Sequence, residues 1–282
     1  MEFPLALAHE VERNVLAALA EDIGSGDLTA MLAPANHRAV GILTSREDAV
    51  LCGVAWFEAC LRRLDPVAHI DWLAQDGDAI LNGQIVCEIS ADTRALLTSE
   101  RSALNFLQLL SGTATQTRRY VDAVAGTRAK IVDTRKTLPG LRLAQKYAVR
   151  CGGGTNHRLG LYDGILIKEN HIIVAGGITA AFNQARKLAN GNLFIQVEVE
   201  SLEELAEALD AGATMILLDN MDLAQMRQAV GFTAGRAELE ASGGVRLETV
   251  RATAETGVDR ISIGTLTKDV RAIDLSLRHS EG

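Results

Sequence analysis

Leu193-Phe194-Ile195-Gln196-Val197-Glu198-Val199, Met215-Ile216-Leu217-Leu218-Asp219, Ala237-Glu238-Leu239-Glu240-Ala241 and Arg260-Ile261-Ser262-Ile263-Gly264 are short, largely apolar runs. They begin at 193, 215, 237 and 260, spacings of 22, 22 and 23 residues, the length of one strand–helix unit. Upstream, Lys130–Asp133 and Ile165–Lys168 read the same way. A string of such units implies a parallel sheet. No GxGxxG fingerprint follows the first strand, which favours an α/β barrel, closed or nearly so, over a doubly wound sheet.

Barrel active sites form at the C-terminal ends of the strands. Here those ends read Asp133-Thr134-Arg135-Lys136, Lys168-Glu169-Asn170-His171, Glu198-Val199-Glu200, Asp219-Asn220, Ser242-Gly243-Gly244 and Gly264-Thr265, all polar or glycine-rich. Side chains alternate along a strand, so Ile195, Val197 and Val199 face the helices while Gln196 and Glu198 point inward. By the same parity Asp219 points inward and Ile216 and Leu218 point outward. Inward carboxylates are costly to desolvate unless they meet a cation. That cation is either a magnesium ion carried by a phosphorylated substrate or an ion pair with Lys136 or Lys168. Ser242-Gly243-Gly244 and Gly264-Thr265 precede helices on the last two strands, where backbone N–H groups suit a phosphate; simple turn chemistry is the alternative.

Working outward, the first 25 or so residues carry Val11, Val15 and Leu19 at helical spacing, up to Gly24-Ser25-Gly26. Strands are expected near 38–46, 67–75 and 84–90, with a helix near 53–64. A long helix is expected from about Ser99 to Ala125, capped by Thr98 or Ser99. This first part reads as α+β.

The 282 residues make about two domains' worth of chain. Net charge is −8, which disfavours nucleic acid as a partner. Residues 128–168 nevertheless hold nine cations, Arg128, Lys130, Arg135, Lys136, Arg142, Lys146, Arg150, Arg158 and Lys168, against Asp133 and Asp163. That island is +7 and leaves −15 elsewhere, the pattern of a pocket for a small polyanion. Arg142, Lys146 and Arg150, spaced by four on one helix, read equally well as solvated helix charges. Cys52, Cys60, Cys87 and Cys151 form no CxxC pair or zinc spacing. The acidic Glu2, Glu10 and Glu12 argue against a signal peptide, and no apolar run is long enough for a membrane span. The expectation is a soluble, reduced, cytoplasmic protein.

The run Asp133-Thr134-Arg135-Lys136-Thr137-Leu138-Pro139-Gly140-Leu141-Arg142 is followed by Lys146-Tyr147-Ala148-Val149, Gly152-Gly153-Gly154, Asn156-His157-Arg158 and Ile167-Lys168-Glu169-Asn170-His171. Together with Glu21-Asp22-Ile23-Gly24-Ser25-Gly26-Asp27-Leu28-Thr29 and Glu100-Arg101-Ser102-Ala103-Leu104-Asn105, it resembles quinolinate phosphoribosyltransferase over nearly the whole chain. The resemblance implies an open α/β barrel over 114–269, preceded by an α+β domain of residues 1–113 that the tail, 270–282, rejoins. It implies a reaction of quinolinate with phosphoribosyl pyrophosphate that yields nicotinate mononucleotide, pyrophosphate and carbon dioxide, with magnesium and no organic cofactor. It implies homodimers or larger oligomers in which Arg101 reaches the barrel of the neighbouring subunit. Carried over by motif, Arg101, Thr134, Arg135, Lys136, His157, Arg158 and Lys168 line the site. Glu198 and Asp219 serve the magnesium and ribose, directly or through water, and act with Lys136 and Lys168 in catalysis. Ser242, Gly243, Gly244, Ile263, Gly264 and Thr265 hold the ribose phosphate. The competing readings are a molybdate-operon relative of the same fold acting on another anion, and a non-catalytic anion-binding barrel.

Overall fold

The structure, a computed structural model, describes residues 5–191 and 193–281. Residues 1–4, with Glu2 and the start of the expected first helix, lie outside the described residues, as do residue 192 and the last residue of the expected tail. The elements in order are α1 (Leu5–Ile23), β1 (Arg38–Ser45), β2 (Ala49–Val50), α2 (Val54–Leu64), β3 (His69–Trp72), β4 (Ala79–Ile80), β5 (Ile85–Asp92) and α3 (Thr93–Ala123). There follow β6 (Lys130–Val132), α4 (Arg142–Cys151), β7 (Ile165–Ile167), α5 (Glu169–Ala175), α6 (Ile178–Ala189), β8 (Ile195–Val199), α7 (Leu202–Asp210) and β9 (Met215–Asp219). The chain closes with α8 (Leu223–Thr233), β10 (Glu238–Ser242), α9 (Leu247–Ala254), β11 (Arg260–Ser262), α10 (Thr265–Lys268) and β12 (Leu275–Glu281). No helix among the described residues is long and apolar enough to cross a membrane.

Two compact units result. One comprises the chain up to Arg118, Thr137–Gly153 and the chain from Thr267; the other comprises Arg119–Lys136 and Gly154–Leu266. The first is built on an antiparallel sheet of order β12-β1-β5-β3. The returning tail is thus a strand of the N-terminal sheet. It is held close by α3: a Cβ on Gly112 would lie 2.2 Å from the Arg271 carbonyl oxygen, so only glycine admits this approach. The α2 stripe of Trp56, Phe57, Cys60 and Leu61 is buried in the same core as the strand residues Leu43, Val86 and Ile89.

Helix α3 begins six residues before the expected Ser99. Its first turn is capped by Asp92, the last residue of β5, whose Oδ1 accepts the Ala95 N–H at 3.0 Å. The strand runs into the helix without a loop, so no break in the apolar pattern marks the start. Thr98, expected as a cap, instead donates its hydroxyl to Asp27.

The second unit carries a six-stranded sheet of order β6-β11-β10-β9-β8-β7, parallel throughout. Strands β6 and β7 end the sheet and do not pair with each other, so the barrel is open. The expected parity holds. Val197, Val199, Ile216 and Leu218 are fully buried, each burial contributing roughly 1.5–3 kcal/mol. Gln196 faces inward and meets Glu240 across the intervening strand at 3.2 Å.

Candidate active site

Within the barrel unit, the end of β6 is organised by Asp133. This carboxylate is fully buried; Oδ1 accepts the His157 backbone N–H at 2.8 Å and Oδ2 accepts the Asn156 amide at 2.6 Å. Asn156-His157-Arg158 is thereby clamped beside Thr134-Arg135-Lys136, where Thr134 Oγ1 accepts the Lys136 N–H at 3.0 Å. Further along, Asp163 accepts the N–H groups of Leu159 and Gly160 and fixes the loop after Arg158. Arg158 is buried and its Nη1 donates to the Gly164 carbonyl at 3.0 Å. Burial, with the like charge of Arg135 added, holds the Arg158 pKa below the usual arginine value, against the pull of Asp163. Arg135, Arg158 and Lys168 share a cleft of about 810 Å³ at the open side of the barrel, with Leu161, Leu166 and Leu188 on its apolar wall.

Lys168 follows β7 as the N-cap of α5, where its N–H is accepted by His171 Nδ1 at 3.0 Å. Its ammonium lies 2.6 Å from Glu198 Oε2, the ion pair that parity and charge allowed. Glu198 and Asp219 stand on neighbouring strands and the same face, since Glu198 is in register with Leu217, two residues before Asp219. Asp219 is in turn in register with Ser242 and accepts the Asn220 amide at 2.9 Å. Asn220 is why Gly243 must be glycine. A Cβ there would meet Asn220 Oδ1 at 2.2 Å, and the backbone has φ +106°.

Both glycine-rich loops precede helices, as expected, at different distances. Gly244 stands three residues before α9, which starts at Leu247, and Gly264 immediately precedes α10, a single turn. Ile263 is buried and its N–H already donates to the Val132 carbonyl at 2.9 Å. Thr265 has a buried hydroxyl without a hydrogen-bond partner, and the Lys136 side chain lies along Gly264. Arg101 is exposed on α3 in the other unit. Lys146, read as possible helix surface, is buried in that unit, whereas Arg150 is exposed.

The sequence does not announce the clamp formed by Asp133, nor Glu240 and Arg260, which pair at 3.0 Å next to Gln196. The signal for Glu240 was its parity with Ser242 on β10. A second grouping was not announced by the cysteine spacing. Cys52, Asp76 and Cys151 bring ligand-type atoms within 4.8 Å of one another in the N-terminal unit. Asp76 is satisfied there by the N–H groups of Gly53 and Val54 and the Tyr147 hydroxyl, and burial raises its pKa. All four cysteines are free and buried.

Comparison with known proteins agrees with these motifs. The family profiles described as quinolinate phosphoribosyl transferase, N-terminal domain and C-terminal domain, match residues 27–111 and 113–278. The nicotinate-nucleotide pyrophosphorylase (carboxylating) of Mycobacterium leprae is 44% identical over 274 residues, covering 94% of this chain and 95% of the relative. The chloroplastic protein of that name from Arabidopsis thaliana is 39% identical over 290 residues, 96% of this chain and 83% of its own. The solved nicotinate-nucleotide pyrophosphorylase of Francisella tularensis superposes with a TM-score of 0.95 at 44% identity, over 99% of this chain and 98% of that one. The chain belongs to the quinolinate phosphoribosyltransferase family.

Proposed function

We propose that the chain is a carboxylating nicotinate-nucleotide pyrophosphorylase. It joins quinolinate to phosphoribosyl pyrophosphate and releases nicotinate mononucleotide, pyrophosphate and carbon dioxide in de novo NAD biosynthesis. The observation that carries this reading is the desolvated Arg158 held beside Arg135 in the barrel cleft, with Lys168 on the same wall. Fixed cations that repel one another are stabilised by a small dianion, and quinolinate presents two adjacent carboxylates. Guanidinium forks match carboxylates bidentately.

In this reading Thr134, Arg135, Lys136, His157, Arg158 and Lys168 bind and orient the pyridine acid. Its ring nitrogen attacks the anomeric carbon as the bond to pyrophosphate breaks, and the sugar becomes cation-like. Glu198 and Asp219 face that developing charge, while Lys136 and Lys168 face the leaving group. The pyridinium then accepts the electron pair left when the neighbouring carboxylate departs as carbon dioxide, and a solvent proton takes its place on carbon. Glu198 and Asp219 offer hard oxygens on one face of adjacent strands, a donor set that suits magnesium completed by water and phosphate oxygens. Magnesium would supply positive charge at the pyrophosphate. The unpartnered Thr265 hydroxyl and the glycine backbone at Gly243, Gly244 and Gly264 suit the ribose phosphate, with Ser242 beside them and Ile263 supporting the loop.

The assembly in this reading is a homodimer, or a larger oligomer built on it, in which the exposed Arg101 completes the partner's site. Free, buried cysteines fit a reducing cytoplasm. Purified protein given quinolinate, phosphoribosyl pyrophosphate and magnesium should release carbon dioxide, and silence in that mixture overturns the reading. Reassociating inactive Arg101→Ala and Lys136→Ala subunits should restore about a quarter of wild-type activity in simple dimers. A mixture that stays dead after demonstrated exchange overturns the shared site.

A further inference from the structure

Four side chains beneath the cations form a chain of contacts whose direction is forced from both ends. Arg260 Nε can only donate, and it meets Glu240 Oε2 at 3.0 Å. Glu240 is about 1% exposed and, paired with a guanidinium, is an acceptor. Gln196, fully buried, must therefore turn its amide NH2 to Glu240, at 3.2 Å, and its carbonyl Oε1 to His157 Nε2, at 2.7 Å. That nitrogen must carry the proton. The other ring nitrogen is left with its lone pair, and it accepts the Arg158 backbone N–H at 2.7 Å.

We propose that Gln196 and Glu240 are positioning residues that, with Arg260, lock His157 as the neutral Nε2–H tautomer and through its Nδ1 seat Arg158. This rests on the reading of Arg158 as a quinolinate contact. The opposite tautomer would set two N–H donors against each other at the Arg158 amide and displace the segment carrying the guanidinium. Two further observations support the lock. Glu240 Oε1 is buried without a hydrogen-bond partner, 4.0 Å from His157 Nε2, where its charge favours a proton on that nitrogen. Phe194 meets the imidazole edge-on at 5.7 Å between centroids, and the Asp133 clamp holds the His157 backbone, so ring and main chain are both fixed.

The lock makes His157 a bracket for Arg158 and assigns part of the specificity for the acid substrate to a fully buried glutamine. Nitrogen-15 NMR of histidine-labelled wild-type protein, with His157 assigned through His157→Asn, should show an unprotonated Nδ1 and a protonated Nε2. Gln196→Leu, close to isosteric, should lose that signature and raise the quinolinate KM about tenfold or more. The KM for phosphoribosyl pyrophosphate and kcat at saturating quinolinate should stay within about threefold of wild type. A wild-type Nδ1–H tautomer, or an unchanged quinolinate KM in Gln196→Leu, overturns the proposal. The NMR measurement judges the lock even if the wild-type protein were to release no carbon dioxide, a result that would count against the functional reading alone.

Discussion

Glu198 and Glu240 lie on either side of Leu217, each in register with it, and both point into the barrel. Their circumstances are nonetheless opposite. Glu198 pairs with the ammonium of Lys168, whose side chain is 49% exposed. Glu240 is sealed between Arg260 and Gln196. Strands in a barrel tilt, so positions level in the hydrogen-bond ladder reach different depths of the interior. The shallow glutamate keeps a partner that a ligand can displace, whereas the deep one has its partners built in. One sequence feature, an inward carboxylate near a strand end, thus yields a candidate reaction group in one strand and a scaffold group two strands away.

Truncation should separate the two most clearly. Glu240→Ala takes the nearer carboxylate from the largely covered Arg260, leaving it Glu238 at 3.9 Å, and leaves the buried Gln196 amide without its acceptor, and is expected to cost about 3 kcal/mol of stability. Glu198→Ala removes a carboxylate that is 13% exposed from a lysine that is 49% exposed and so regains water, and should cost less, about 1 kcal/mol. Urea unfolding of both variants measures the gap, and equal losses would break the comparison. Asp219→Asn should behave like a change at the shallow level. The expected result is a kcat reduced about 100-fold with weakened magnesium dependence and little change in quinolinate affinity, read by steady-state kinetics. Arg158→Ala and Lys136→Ala should each weaken quinolinate at least tenfold, about 1.5–3 kcal/mol, in calorimetric titration with the fold intact. Unchanged affinity in both would empty the pocket assignment.

Asp76 sharpens the comparison from the other unit, as a partly buried carboxylate held by neutral donors. Its pKa is raised above the usual 3.8, chiefly by burial. The stability it contributes is therefore fully present below pH 3.8 and declines as pH rises through its folded value. Asp76→Asn should gain on wild type as pH increases toward neutrality, the smallest effect in this series, visible in paired melting curves. A difference that does not vary with pH would mean that its hydrogen bonds cancel desolvation, and a reversed trend that they outweigh it.

Much of the architecture was readable because it rests on local pattern. Apolar runs at a regular spacing announced the parallel strands, and parity alone turned Gln196, Glu198 and Asp219 inward. The start of α3 was not readable, because the capping residue, Asp92, is also the last residue of a strand. The difference among the basic residues of α4 was equally hidden: Lys146 and Arg150 share spacing and chemistry, yet one is buried and the other exposed.

By itself the sequence determined the barrel, the polar strand ends, the concentration of cations in residues 128–168 and the family, since all of these are properties of order and residue type. Only the tertiary structure decided what each polar group meets. It joined Asp133 to Asn156 and His157, Gln196 to Glu240, and Glu240 to Arg260, across 20 to 44 residues of chain. The physical reason is that a buried polar group takes its role from the donors and acceptors that strand tilt and loop closure bring within about 3 Å, a distance unrelated to separation along the chain.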